Sequence, residues 1–226
     1  MIDEMSSIAE NNKRIAKNTL FLYFRMLLTM VVGLYTSRVI LQTLGVEDYG
    51  IYIVFGGVVA MFSVLSGSLS AAISRFITFE LGRNDIEKLK RVFSSAVTIQ
   101  IGISLIIILL AETIGLWFLN NKMVIPDNRL IAANWVYQFS IFTFAINLIS
   151  VPYNAAIIAH EKMSAFAYIS ILEVIGKLIV AFTIVIAPID RLIYYGSLIM
   201  LIAVIIRMVY GYYCKKHFAV IVIYQR

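Results

Sequence analysis

Glu173 and Lys177 stand mid-way along AFAYISILEVIGKLIVAFTIVIA, residues 165–187, a stretch otherwise suited to hydrocarbon. A charge at the centre of a spanning helix costs about 2.5–3.5 kcal/mol on insertion scales. Intramembrane charges therefore mark functional sites by default. Spacing offers a plainer account. Glu at i and Lys at i+4 share one helical side, with Glu on the favourable N-terminal side. Such a pair neutralises itself and can simply glue its helix to a neighbour. Alternatively it faces a water-filled cavity and binds or gates something polar, because pairing reduces the desolvation cost without abolishing it.

Other polar residues sit where oil should reject them: Arg25 and Arg38 in the first apolar run, Glu112 in the third, Asn147 and Asn154 in the fourth, Arg207 in the sixth. Arg38, Glu112 and Arg207 lie nearer the run ends, and Arg25 is a turn or two from one, so long stems can carry these heads towards water. Pro152, in NLISVPYNAAIIAHEK, removes the bond its N–H would make to the Leu148 carbonyl. It reads either as a hinge for a conformational change or as a static bend. In the second run, Gly56, Ala60, Ser63, Gly67, Ser70 and Ser74 recur at three- or four-residue steps. Stripes of this kind let helices approach closely or slide.

These residues ride on an all-α, polytopic membrane chain. Hydrophobic residues make up 61% and charged residues 14% of 226, and the mean hydropathy is +0.90. Soluble domains carry about 45–50% apolar and about 25% charged residues. Spanning helices need about 20 mostly apolar residues, and six runs qualify: about 19–43, 50–79, 92–119, 131–159, 165–187 and 192–213. A cytoplasmic tail, 1–18, precedes them and a second, 214–226, follows. The runs are continuous rather than alternating, which excludes a closed β-barrel. Around the links, 81–91 reads as a short interfacial helix capped by Asn84 and Glu87 or as a solvated loop.

Lys and Arg orient the bundle. Eleven (Lys13, Arg14, Lys17, Arg83, Lys88, Lys90, Arg91, Lys162, Lys215, Lys216 and Arg226) fall on the tails and even-numbered links, against three (Lys122, Arg129 and Arg191) on the odd ones. Both termini are thus expected in the cytoplasm. The net charge of +6 is no signal for nucleic acid in this setting, and the single cysteine, Cys214, excludes a disulfide framework or a Cys-based metal site. His160 and His217 sit in or beside links. No Walker A, GxSxG or HExxH pattern occurs, so neither an enzyme nor a cofactor is expected.

The segments RIAKNTLFLYFRMLLTMVVGLYTSRVILQTLGVEDYGIY, SGSLSAAISRF, LGRNDIEKLKRVFS and VPYNAAIIAHEKMSAFAYISILE resemble the first half of bacterial polysaccharide flippases. These are the O-antigen and capsule repeat-unit exporters of the multidrug/oligosaccharidyl-lipid/polysaccharide superfamily, and the likeness covers about residues 13–218. It rests on the whole chain rather than on one diagnostic motif. The resemblance implies a MATE-like transporter of two lobes around a central cavity in the inner membrane. Six spans make one lobe, so it further implies truncation before a second lobe, or a half that pairs with another copy. It implies a polyprenyl-diphosphate-linked oligosaccharide as cargo, and other membrane proteins of polysaccharide assembly as partners. Arg25, Arg38 and Lys177 would then contact the head group, with Glu173 holding Lys177 or exchanging a proton or cation. Arg207, Asn147 and Asn154 complete the expected cavity set. A drug or cation exporter of the same superfamily, or a non-transporting scaffold of glycan assembly, are the alternatives.

Overall fold

The computed structural model describes residues 2–218, with side chains throughout except at 2–11, 13–15, 17 and 58–65. Ala60, Ser63 and the tail beyond residue 218 therefore lie outside the described residues. The elements are α1 (Ile2–Gly82), α2 (Ile86–Leu110), α3 (Leu116–Asn121), α4 (Leu130–Ala159), α5 (Met163–Thr183) and α6 (Arg191–His217), with no strand among the described residues. Five helical stretches are long and apolar enough to cross a membrane among the described residues, as expected for a polytopic membrane protein.

The first two expected spans form one continuous stretch, α1, broken only at Gly45 (φ 82°, ψ 171°). That backbone region is open essentially to glycine alone, so the expected loop GVEDYG shrinks to a single hinge residue. Packing partners reveal that the chain reverses there. Before Gly45, Phe21 meets Tyr168, Tyr35 meets Phe182 and Ile40 packs with Ile184, so this arm runs parallel to α5. After it, Ile51 and Phe55 pack on Ala132–Val136, Leu69 and Ile73 on Phe144–Val151, and Ile77 on Ala156. The second arm thus runs parallel to α4, and the chain traverses the bundle six times.

Odd-numbered links consequently gather at one end and even-numbered links at the other. Helix α4 is the core: 56% of its apolar window is buried, against 6% for the window in the first arm of α1. It continues as one element through the buried Pro152. The separate interfacial helix expected at 81–91 does not form. Instead Asp85 caps α2 directly, its Oδ1 accepting the Lys88 N–H at 3.0 Å, because an acidic side chain there satisfies a free helix-terminal donor. That bond, with the Lys88 ammonium, holds the Asp85 carboxyl below its ordinary range.

Helix α2 passes into α3 through one π turn, Ala111–Gly115. The carbonyl of Ala111 accepts the Tyr137 hydroxyl at 2.8 Å, and Gln138 donates to Glu112 at 3.1 Å. A Cβ on Gly115 would stand 1.8 Å from the Tyr137 hydroxyl. A methyl group here would force the Tyr137 ring to move. Glu112 thus has a hydrogen-bond partner on α4.

Candidate functional site

A cavity of about 770 Å³ lies between both arms of α1 and helices α4, α5 and α6. Glycine positions α5 on its wall: a Cβ on Gly176 would sit 3.3 Å from Ile202 of α6. Glu173, three residues before Gly176, and Lys177, the residue after it, both line the cavity. Lys177 Nζ donates to Glu173 Oε1 at 2.6 Å, and the two side chains are 48% and 37% exposed. The pair is therefore formed, and both members stand on the cavity wall. An ammonium and a carboxylate at this depth keep free hydrogen-bonding capacity on the cavity side.

Opposite them, α4 contributes Asn147, Ser150 and Asn154. The Asn154 Oδ1 and the Thr143 hydroxyl, also on the wall, are buried with no hydrogen-bond partner among the described residues. Polar atoms left in that condition cost about 1–3 kcal/mol each, which favours a hydrated or ligand-filled chamber over a dry one. Of the small-residue stripe, Gly56, Gly67 and Ser70 line the same space. Among the described residues nothing comes within 4 Å of a Cβ built on Gly56 or Gly67. These two small residues border an opening rather than a tight helix contact; Ser74 is half-buried beyond it.

The three arginines expected in the cavity stand apart from its lining. Arg25 stacks over Phe166 at 4.5 Å, with Nη1 buried and unpartnered among the described residues. Arg207 stacks over Tyr153 at 3.8 Å. Arg38 is exposed, although its neighbour Ser37 faces the cavity. Cation–π contact suffices to hold a guanidinium at a helix surface, and depth alone carries no information about which side of a helix a charge occupies.

Tyrosines supply what the sequence pattern missed. Tyr49, Tyr52, Tyr195 and Tyr210 line the cavity, and Tyr52 and Tyr195 meet edge-on with ring centroids 4.8 Å apart. Near a span end a tyrosine resembles an ordinary interface anchor. The three-residue step from Tyr49 to Tyr52, one helical face, was the available signal.

Arg129 is the second unforeseen feature. Its Nε donates to Asp48 Oδ1 at 2.6 Å, Nη2 pairs with Asp48 Oδ2, and Nη1 donates to Asp190 Oδ2 at 2.6 Å. One guanidinium thus ties the start of the second arm of α1 and the third and fifth links together. Arg191 adds a bond from Nη1 to the Thr43 carbonyl at 3.1 Å. Asp190 also caps α6, accepting from the N–H groups of Leu192 and Ile193. Burial pushes the Asp190 carboxyl up, but the Arg129 hydrogen bond and these N–H groups outweigh it and hold the carboxyl below its usual range.

No protein-family profile, curated protein or solved structure matches the chain. Among the described residues no cluster of His, Cys, Asp and Glu can hold a metal ion.

Proposed function

We propose that this chain is one lobe of an alternating-access exporter. Its cargo is a polyprenyl-diphosphate-linked oligosaccharide repeat unit, moved across the bacterial inner membrane. One observation carries the reading: the Glu173–Lys177 pair on the wall of a cavity of about 770 Å³ inside a bundle of membrane-length helices. Cavities of roughly 300–1,000 Å³ suit small ligands or parts of larger ones. Lys177 meets the diphosphate, since an ammonium gives charge-assisted bonds to phosphate oxygens. Glu173 holds that ammonium while the cavity is empty. Asn147, Asn154 and the wall tyrosines offer the mixed donors and acceptors that sugar hydroxyls need.

The Lys and Arg distribution supports a topology with both termini and the even links in the cytoplasm. A second lobe, or a second copy, completes the enclosure, and rocking of the two bundles alternates access. Arg25 and Arg207, held on aromatic rings, then serve packing rather than cargo.

Deleting the gene in a strain with no redundant exporter tests the reading. Lipid-linked repeat units should accumulate unflipped on the cytoplasmic face, and surface polysaccharide should fall. Undiminished surface polysaccharide in that strain rejects it.

A further inference from the structure

We propose that Arg129 is a latch that holds the odd-link end of the cavity shut, and that breaking its two carboxylate contacts opens the cavity to that side. The inference rests on reading the cavity as a transport chamber, but it concerns access and not cargo.

Geometry favours a latch over an incidental surface pair. Arg129 and Asp190 come from the third and fifth links and Asp48 from the first turn after the Gly45 break, and the three side chains are 19%, 31% and 15% exposed in that order. Shielded, bidentate Arg–carboxylate contacts are the strong members of their class, whereas freely exposed pairs contribute little. Each carboxylate is also mechanically joined to the cavity wall. Asp48 immediately precedes Tyr49 and lies one turn before Tyr52, while Asp190 begins the helix that carries Tyr195. The Tyr52–Tyr195 contact belongs to one packed cluster with Ile40, Val180 and Ile184, and Ile40 and both tyrosines line the cavity. Separating Asp48 from Asp190 draws these two tyrosines apart. A hinge is in place, because Gly45 lies three residues before Asp48 in a backbone conformation that leaves the two arms of α1 joined at one point.

The latch also has a release built into its chemistry. One guanidinium serves two acids, so losing either contact leaves the other intact and the links tethered. Opening thus proceeds by stepwise loosening instead of exposing three unpaired charges at once.

Access is measured with a single cysteine on the cavity wall, Ser37→Cys, in a Cys214→Ser background. A membrane-impermeant thiosulfonate is added to right-side-out or inverted vesicles. Asn128→Cys, on the exposed third link, identifies the odd-link side. Arg129→Gln should raise modification of the cavity cysteine from that side roughly tenfold, the scale of losing about one charge-assisted contact. Arg129→Lys should lie between, since an ammonium cannot bridge both acids in the same fork. Asp190→Asn should act in the same direction while keeping the α6 cap, because Asn caps as well as Asp.

Rates from the odd-link side within about twofold of the parent for all three variants, with the proteins inserted and monodisperse, would overturn the latch. Failure of all three to accumulate would overturn it too, marking the cluster as a static brace. Unchanged modification alongside lost flipping in a wild-type background would reject the latch and leave the cargo reading standing. Faster modification with surface polysaccharide undiminished by gene deletion would keep the latch and reject the cargo.

Discussion

At the residue scale, the Glu173–Lys177 pair has two accounts that predict different chemistry. If Lys177 serves only to neutralise Glu173 and pack α5, any substitution that preserves folding is tolerated. As a phosphate contact, Lys177 contributes a charged hydrogen bond worth about 1.5–3 kcal/mol, or roughly 10- to 100-fold in rate or affinity. Lys177→Ala should therefore cut flipping of labelled lipid-linked cargo at least about tenfold, while Lys177→Arg retains most of it. Wild-type flipping by both variants at normal membrane levels would leave only the packing role. The pair was legible because two charges ten residues from water need no alignment to stand out. The Arg129 contacts were not, since one arginine beside a span start says nothing until the fold brings Asp48, 81 positions away, to its side.

At the element scale, hydropathy marks where helices run but not how they meet. Six apolar runs were visible, and the chain does traverse the bundle six times. What hydropathy could not deliver was the join at Gly45, or the π turn that lets α2 follow α4. Each depends on one glycine, Gly45 for its backbone conformation and Gly115 for the close approach of Tyr137. At Gly115 the requirement is steric, because a methyl group would overlap the Tyr137 hydroxyl at 1.8 Å. Overpacking of this kind costs about 1–3 kcal/mol, and Tyr137→Phe alone forfeits a hydrogen bond worth about 1 kcal/mol. Gly115→Ala should therefore lower the thermal midpoint of the detergent-solubilised protein. Adding Tyr137→Phe should recover part of that loss despite costing stability by itself. Additive losses in this double-mutant cycle would show that the hydroxyl and the glycine do not share the same space.

Across the whole molecule, alternation of the links is the property on which orientation, cavity and latch depend together. Arg83 and Lys162 are exposed on the even links, whereas Glu47 and Asn128 are exposed on the odd ones. The reversal at Gly45 rests on side-chain partners along both arms of α1, and it is the least obvious step in the path from sequence to bundle. Had the stretch run straight, its 81 residues would extend about 120 Å, several times the roughly 30 Å hydrocarbon core. Glu47 and Arg83 would then stand on the same side or far outside the bilayer. Cysteines placed singly at these four positions in the Cys214→Ser background decide the point. Arg83→Cys and Lys162→Cys should react with an impermeant maleimide from one side, and Glu47→Cys and Asn128→Cys from the other. If the Lys- and Arg-rich tails and even links are cytoplasmic, as their charge predicts, the first two should be reached in inverted vesicles and the last two in intact spheroplasts. Labelling of Glu47→Cys and Arg83→Cys from the same side would remove the reversal, and with it the enclosure that gives Lys177 a chamber to face.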